Sequence, residues 1–259
     1  MGVWRRTYLL GQNGLPEEVT ALGEQLFAKG MEFSATVNEK AEIFKPEYTT
    51  ILRKHKGVVE YLSRMTGATV DAEIRTQVEY DGMMRIDFTI IPRGCVALNH
   101  FNYKITMDNA QAKYLHYTGS RDSGMSLNVQ KSSFTMAIPK QEGLVWESPF
   151  KLLVWLGSED KGFLWFTCSE KEWSPLEREK RPDALKVVRG NAGTSLQITP
   201  VSAELLIARP TTWTFGLMAT PARPKPKGWR GNSMNYDYFA ENAEKYCGQK
   251  VKVLYSSAS

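Results

Sequence analysis

The chain has 259 residues, 42% of them hydrophobic and 11% aromatic, enough to bury a substantial core and to exclude global disorder. Lys and Arg number 33 against 28 Asp and Glu, and four of those cations, Arg223, Lys225, Lys227 and Arg230, fall in one short stretch. Outside it the charge is nearly balanced, so a nucleic-acid footprint, which needs cations massed on one face, is not expected.

No apolar run approaches the roughly 20 residues of a membrane span, so no membrane partner is expected. The N-terminus, MGVWRRTYLLGQNGLP, has too short an apolar stretch for a signal peptide, and the compartment stays open. Cys95, Cys168 and Cys247 are odd in number and widely spaced. That is neither a zinc framework nor a disulfide scaffold.

In chain order, residues 15–29 (LPEEVTALGEQLFAK) read first as a short helix. Leu15, Val19, Leu22 and Leu26 recur at helical spacing, and Pro16 suits a first turn. Gly23 inside the stretch argues instead for loop plus strand. From residue 31 the pattern turns to period two. Strands are predicted at 31–44, 57–65, 68–80, 84–91, 96–107, 113–118, 125–130, 133–138, 152–156, 162–168, 184–189, 194–199, 203–208 and 212–218. The clearest is 84–91, where Ile86, Phe88 and Ile90 alternate with Arg85, Asp87 and Thr89, and Pro92 ends it. Many short strands separated by turn residues predict an all-β fold, a large antiparallel β-sandwich over residues 1–220.

Residues 221–234 form a proline-rich basic run, with Pro221, Pro224 and Pro226 favouring an extended linker. The pattern then changes to a helix at 235–246 and a short strand near 250–259. One helix and one strand cannot close a core. The natural polypeptide is therefore expected to continue past Ser259.

Three stretches, EYDGMMRIDFTIIP at 79–92, WLGSEDKGFLWFTCSEKEWSP at 155–175 and FGLMATPARPKPKGWR at 215–230, together resemble glycoside hydrolase family 123. The likeness is to the large bacterial, uncharacterised relatives of its β-N-acetylgalactosaminidases. The resemblance implies an N-terminal β-sandwich, then a (β/α)8 barrel whose Asp-Glu pair performs substrate-assisted hydrolysis, an exception to the usual two-carboxylate scheme. On that reading residues 235–259 begin the barrel. The catalytic pair has no counterpart here, so no catalytic residue is assigned, and the chain is expected to be inactive alone. The implied partners are a glycan and the barrel.

Within 155–175, Glu170 with Trp165 and Trp173 could hold a sugar: rings stack on indole, and acids accept hydroxyl hydrogen bonds. Asp160 and Glu172 lie in the same segment. The competing reading makes Trp165 a core position of an alternating strand and the acids a solvated turn. Asp81-Gly82 reads as a turn pair. His55, His100 and His116 lack ligand spacing, and no phosphate-loop, H-E-x-x-H or G-x-S-x-G motif occurs. Neither a metal nor a cofactor is expected. Besides a hydrolase module, a stand-alone carbohydrate-binding module and a purely structural protein remain open.

Overall fold

The computed structural model describes residues 2–118 and 133–222. The chain divides into two compact units, Met1–Ala222 and Arg223–Ser259. The strand expected at 125–130, most of the linker, the 235–246 helix and the last strand lie outside the described residues.

The described unit is an antiparallel β-sandwich. One sheet has nine strands in the order β13-β12-β15-β16-β20-β10-β9-β8-β7. These are β7 (Lys45–His55), β8 (Val58–Thr66), β9 (Val70–Glu79), β10 (Met83–Pro92), β12 (Tyr114–Thr118), β13 (Ser133–Ala137), β15 (Leu153–Gly157), β16 (Gly162–Phe166) and β20 (Thr211–Thr220). The facing sheet runs β14 (Gly143–Ser148), β17 (Leu185–Gly190), β18 (Gly193–Val201), β11 (Val96–Met107), β5 (Phe27–Val37) and β6 (Lys40–Ala41), with β19 (Leu205–Ile207) paired to β11.

The alternation read from sequence decides which side chains meet between the sheets. Ile86, Phe88 and Ile90 of β10 are fully buried, and so are Phe101 of β11 and Leu217 of β20. Rings from the two sheets interlock there. Phe101 lies 4.9 Å from Phe88 and 4.7 Å from Trp213, and Tyr103 stacks on Phe215 at 4.4 Å. Such pairs add about 0.5–1.5 kcal/mol each beyond the area they bury.

The N-terminus forms a third, small sheet from β1 (Gly2–Val3), β2 (Arg6–Leu10), β3 (Pro16–Ala21) and β4 (Glu24–Gln25). This corrects the helix expected at 15–29. Leu22 and Gly23 both adopt positive φ, 55° and 84°. Two such residues make a tight hairpin turn whose twist matches the strands. Leu15, Val19 and Leu26 are buried as the helical spacing implied, but along a hairpin: Leu15 just before β3, Val19 within it and Leu26 just after β4, its amide donating to the Val19 carbonyl at 2.8 Å. Fully buried Arg6 and Tyr8 lock this sheet to the sandwich. Arg6 donates to the carbonyls of Asp81 and Ala219, and the Tyr8 hydroxyl donates to the Gly82 carbonyl at 3.0 Å. The Asp81-Gly82 turn joins β9 to β10, with Asp81 Oδ1 accepting from the Met83 amide at 3.0 Å.

β7 was not anticipated. All eleven of its residues are exposed, and among the described residues it pairs only with β8 at the sheet edge, so its sequence carries no buried face to read. Two register shifts along that pairing interrupt the ladder, a common defence of exposed edges.

Candidate functional site

The segment after β16 carries the acid and the second tryptophan singled out above. Glu170 accepts hydrogen bonds from Arg178 at 2.9 Å and from Arg181, whose side chain is fully buried. Arg181 also donates to the Pro149 carbonyl at 3.0 Å, and its guanidinium sits 5.0 Å over the Trp173 ring. Arg178 sits 5.2 Å over Phe150, and Phe150 meets Trp173 edge to face at 5.4 Å. The result is a knot of two cations, one carboxylate and two rings that fixes a long loop against the sandwich.

Trp173 is only 3% exposed and Trp165 is 0% exposed. Trp165 faces the core, where its indole N–H donates to the Tyr103 hydroxyl at 3.2 Å. Neither ring offers a free face in this structure. Of the nearby acids, Asp160 accepts from the Ser158 hydroxyl at 3.1 Å and pairs with Lys161, and the Glu172 carbonyl accepts from the Trp213 indole at 3.0 Å.

Burial alone would raise the Glu170 carboxyl, but the hydrogen bonds and charges of Arg178 and Arg181 prevail and hold it below the ordinary range. Asp71 behaves the same way: burial pushes up, while Arg93, the Gly67 amide and Arg64 pull it down further. A depressed folded-state pKa adds stability above the unfolded pKa, about 4.3 for Glu, and that stability is lost as pH falls through the folded value. Glu170→Gln is therefore expected to flatten the acid limb of the stability curve. In urea titrations below about pH 4.3, wild type should lose stability more steeply than the variant.

The outward face of the nine-stranded sheet, open among the described residues, gives a different picture. Along it, cross-strand partners form rows. One row runs Thr135, His116, Trp155, Leu164, Met218, Met83. The next runs Phe166, Gly216, Arg85, Gln77, Glu60, Arg53. These positions alternate with the core residues of the same strands, so they face away from the sandwich interior.

Three glycines shape this face. The six-membered ring of Trp155 lies over Gly157 and Gly162, and the tip of the Phe166 ring lies over Gly216; a Cβ at any of the three would come within 2.6 Å of atoms of the ring above it. Both rings are thus laid down on bare backbone, and both remain half-buried rather than covered. The Trp155 indole N–H is anchored on Thr220 Oγ1 at 3.0 Å.

Next to the rings the face becomes charged. Asp87 accepts from Thr214 at 2.6 Å and from Arg85 at 3.2 Å, and Glu60 pairs with Arg75 and with Arg53. Glu60, Arg75, Gln77, Arg85 and Asp87 line a hollow of about 190 Å³. A larger cleft of about 420 Å³ lies in the N-terminal sheet, but Arg6 on its wall is spent on backbone carbonyls. Among the described residues no group of three His, Cys, Asp or Glu could hold a metal.

Comparison with known proteins decides the family. Residues 1–178 match the model of the third domain of glycoside hydrolase 123. The chain belongs to this family. The fold is shared with a putative aldose 1-epimerase from Escherichia coli K12, at 8% identity and a TM-score of 0.50, covering 83% of this chain and 99% of that one. A copper-containing benzylamine oxidase from Hansenula polymorpha aligns more loosely, with 6% identity and a TM-score of 0.44, over 79% of this chain and 56% of its own. No curated protein matches. The match confirms the resemblance seen in the 79–92 and 155–175 stretches, and the sandwich accords with it.

The open face of this glycoside hydrolase 123 domain was missed from sequence. The notable signal was present in WLGSEDKGFLWF, where two glycines flank the hairpin beside an aromatic at alternate positions. The third glycine, Gly216, lies fifty residues away in sequence from Phe166 and meets it only through strand pairing.

Proposed function

We propose that this chain is the non-catalytic β-sandwich of a glycoside-hydrolase-like protein, built to support a barrel that hydrolyses glycosidic bonds, with N-acetylhexosaminides as the substrate class. The observation that carries this reading is the state of its two arginine-clamped carboxylates. A glycosidase acid must keep its proton near neutral pH, which calls for a raised pKa. Glu170 and Asp71 are both pulled the other way by paired arginines. Their geometry is that of ionised structural anchors: each carboxylate is held by two guanidinium groups, with little lone-pair capacity left for substrate.

Incubation of the 259-residue chain with 4-nitrophenyl β-N-acetylgalactosaminide and its gluco epimer is expected to release no nitrophenol above the blank. Release that disappears in Glu170→Gln or Asp71→Asn would overturn the reading.

A further inference from the structure

We infer that the open face of the nine-stranded sheet is a glycan-binding site, with Trp155 and Phe166 as stacking platforms and Arg85, Asp87 and Gln77 as the groups that hold hydroxyls. The inference rests on the proposed function only for the choice of ligand class; the site itself rests on geometry.

A side chain that merely fills space on a sheet stands up from it. Here two rings lie down on glycines: Trp155 on Gly157 of its own strand and Gly162 of the next, and Phe166 on Gly216 of the neighbouring β20. Glycine in a strand interior costs stability, because it offers no packing side chain and loses more backbone entropy. Gly216, inside β20, is such a position, and Gly157 and Gly162 at the ends of β15 and β16 leave the same bare backbone under Trp155; all three mark a close approach that the rings require. The inner face of each ring is satisfied by backbone, and each ring stays partly exposed, with room for something planar and weakly apolar. The C–H face of a pyranose fits that description.

The polar half of the face suits the rest of a sugar. Phe166 lies over Gly216, and the cross-strand neighbour of Gly216 is Arg85, followed by Gln77. A ring stacked on Phe166 therefore has its edge hydroxyls beside a guanidinium, the Asp87 carboxylate and an amide. Arg53 and Arg75 both pair with Glu60, and Arg85 with Asp87, so each of these guanidinium groups already has a carboxylate partner. Neutral hydroxyls can replace water on these groups without stripping a charge of its partner, whereas an apolar protein surface would desolvate them. Strands lie about 4.7–4.9 Å apart, so three spacings from Trp155 on β15 to Arg85 on β10 span about 14 Å. That length favours a short oligosaccharide over a single ring.

The test is isothermal titration of the 259-residue chain with chitotriose, cellotriose and maltotriose. At least one is expected to bind. Trp155→Leu and Phe166→Leu keep an apolar side chain but remove the flat ring, and each should weaken that binding at least tenfold, about 1.4 kcal/mol. Trp4→Ala, in the N-terminal sheet, should leave it unchanged, and circular dichroism checks that each variant is folded. Should one leucine variant fail to fold, the other carries the test. Absence of binding by all three sugars, or unchanged affinity in a folded leucine variant, overturns the site while leaving the non-catalytic reading intact. Hydrolysis with normal binding does the reverse.

Discussion

Arg181→Ala is expected to destabilise the chain by roughly 3–5 kcal/mol, because it removes charge-assisted hydrogen bonds worth about 1.5–3 kcal/mol each and empties a fully buried site. Arg181 is fully buried and joins three things at once: the Glu170 carboxylate, the Pro149 carbonyl and the face of Trp173. Without it Glu170 keeps only Arg178, Pro149 loses its donor, and the Trp173 ring borders a void. At about 2–4 °C per kcal/mol for a domain of this size, calorimetry should show a melting temperature lower by roughly 6 °C or more. The double variant with Glu170→Gln should cost less than the two single changes added together, because both act on one network. Additive losses would mean that the two side chains are not coupled.

Trp165→Ala is expected to cost about 3–5 kcal/mol for a different reason, the cavity left by a large ring in a closed core. The indole is fully buried and hydrogen-bonded to Tyr103, which itself stacks on Phe215. The same substitution should leave sugar affinity unchanged in whatever fraction remains folded. This separates Trp165 from Trp155: one holds the sheets together and the other faces outward. A stable Trp165→Ala chain that had lost sugar binding would restore the ligand role that its burial argues against.

The contrast between these two tryptophans shows what the sequence could reveal. In β16, Phe163 and Trp165 share one face while Leu164 and Phe166 share the other, and both faces are apolar. Period two is visible there, but which parity meets the core depends on partners far away in the chain. Strands with one wet face, such as β10 with Arg85, Asp87 and Thr89, leave no such ambiguity, and they were legible. β7, exposed on both faces, and β14, on a sheet edge, have no buried stripe to detect. The N-terminal hairpin failed for another reason. Its turn reverses the chain after Ala21, so Leu15 and Val19 reach the core from one arm of the hairpin and Leu26 from the end of the other, at a spacing that mimics a helix.

The site was partly hidden by the same physics. Glu170 and Trp173 are neighbours in one cluster, but paired arginines eight and eleven residues after Glu170, in the same connecting loop, convert them into a brace. Arg178 and Arg181 carry that change, and nothing in their spacing announces a carboxylate partner. The glycines beneath Trp155 and Phe166 read as turn residues until the pairing of β15, β16 and β20 sets them under the rings.

The most direct test of the account combines binding and turnover on one sample: the 259-residue chain titrated with chitotriose, cellotriose and maltotriose in turn, each then held and analysed for shorter products by mass spectrometry. Binding that weakens in Trp155→Leu, with the trisaccharide recovered whole, is the predicted result. Cleavage of the trisaccharide by the chain, or no binding together with an unaltered titration in the variant, would contradict it.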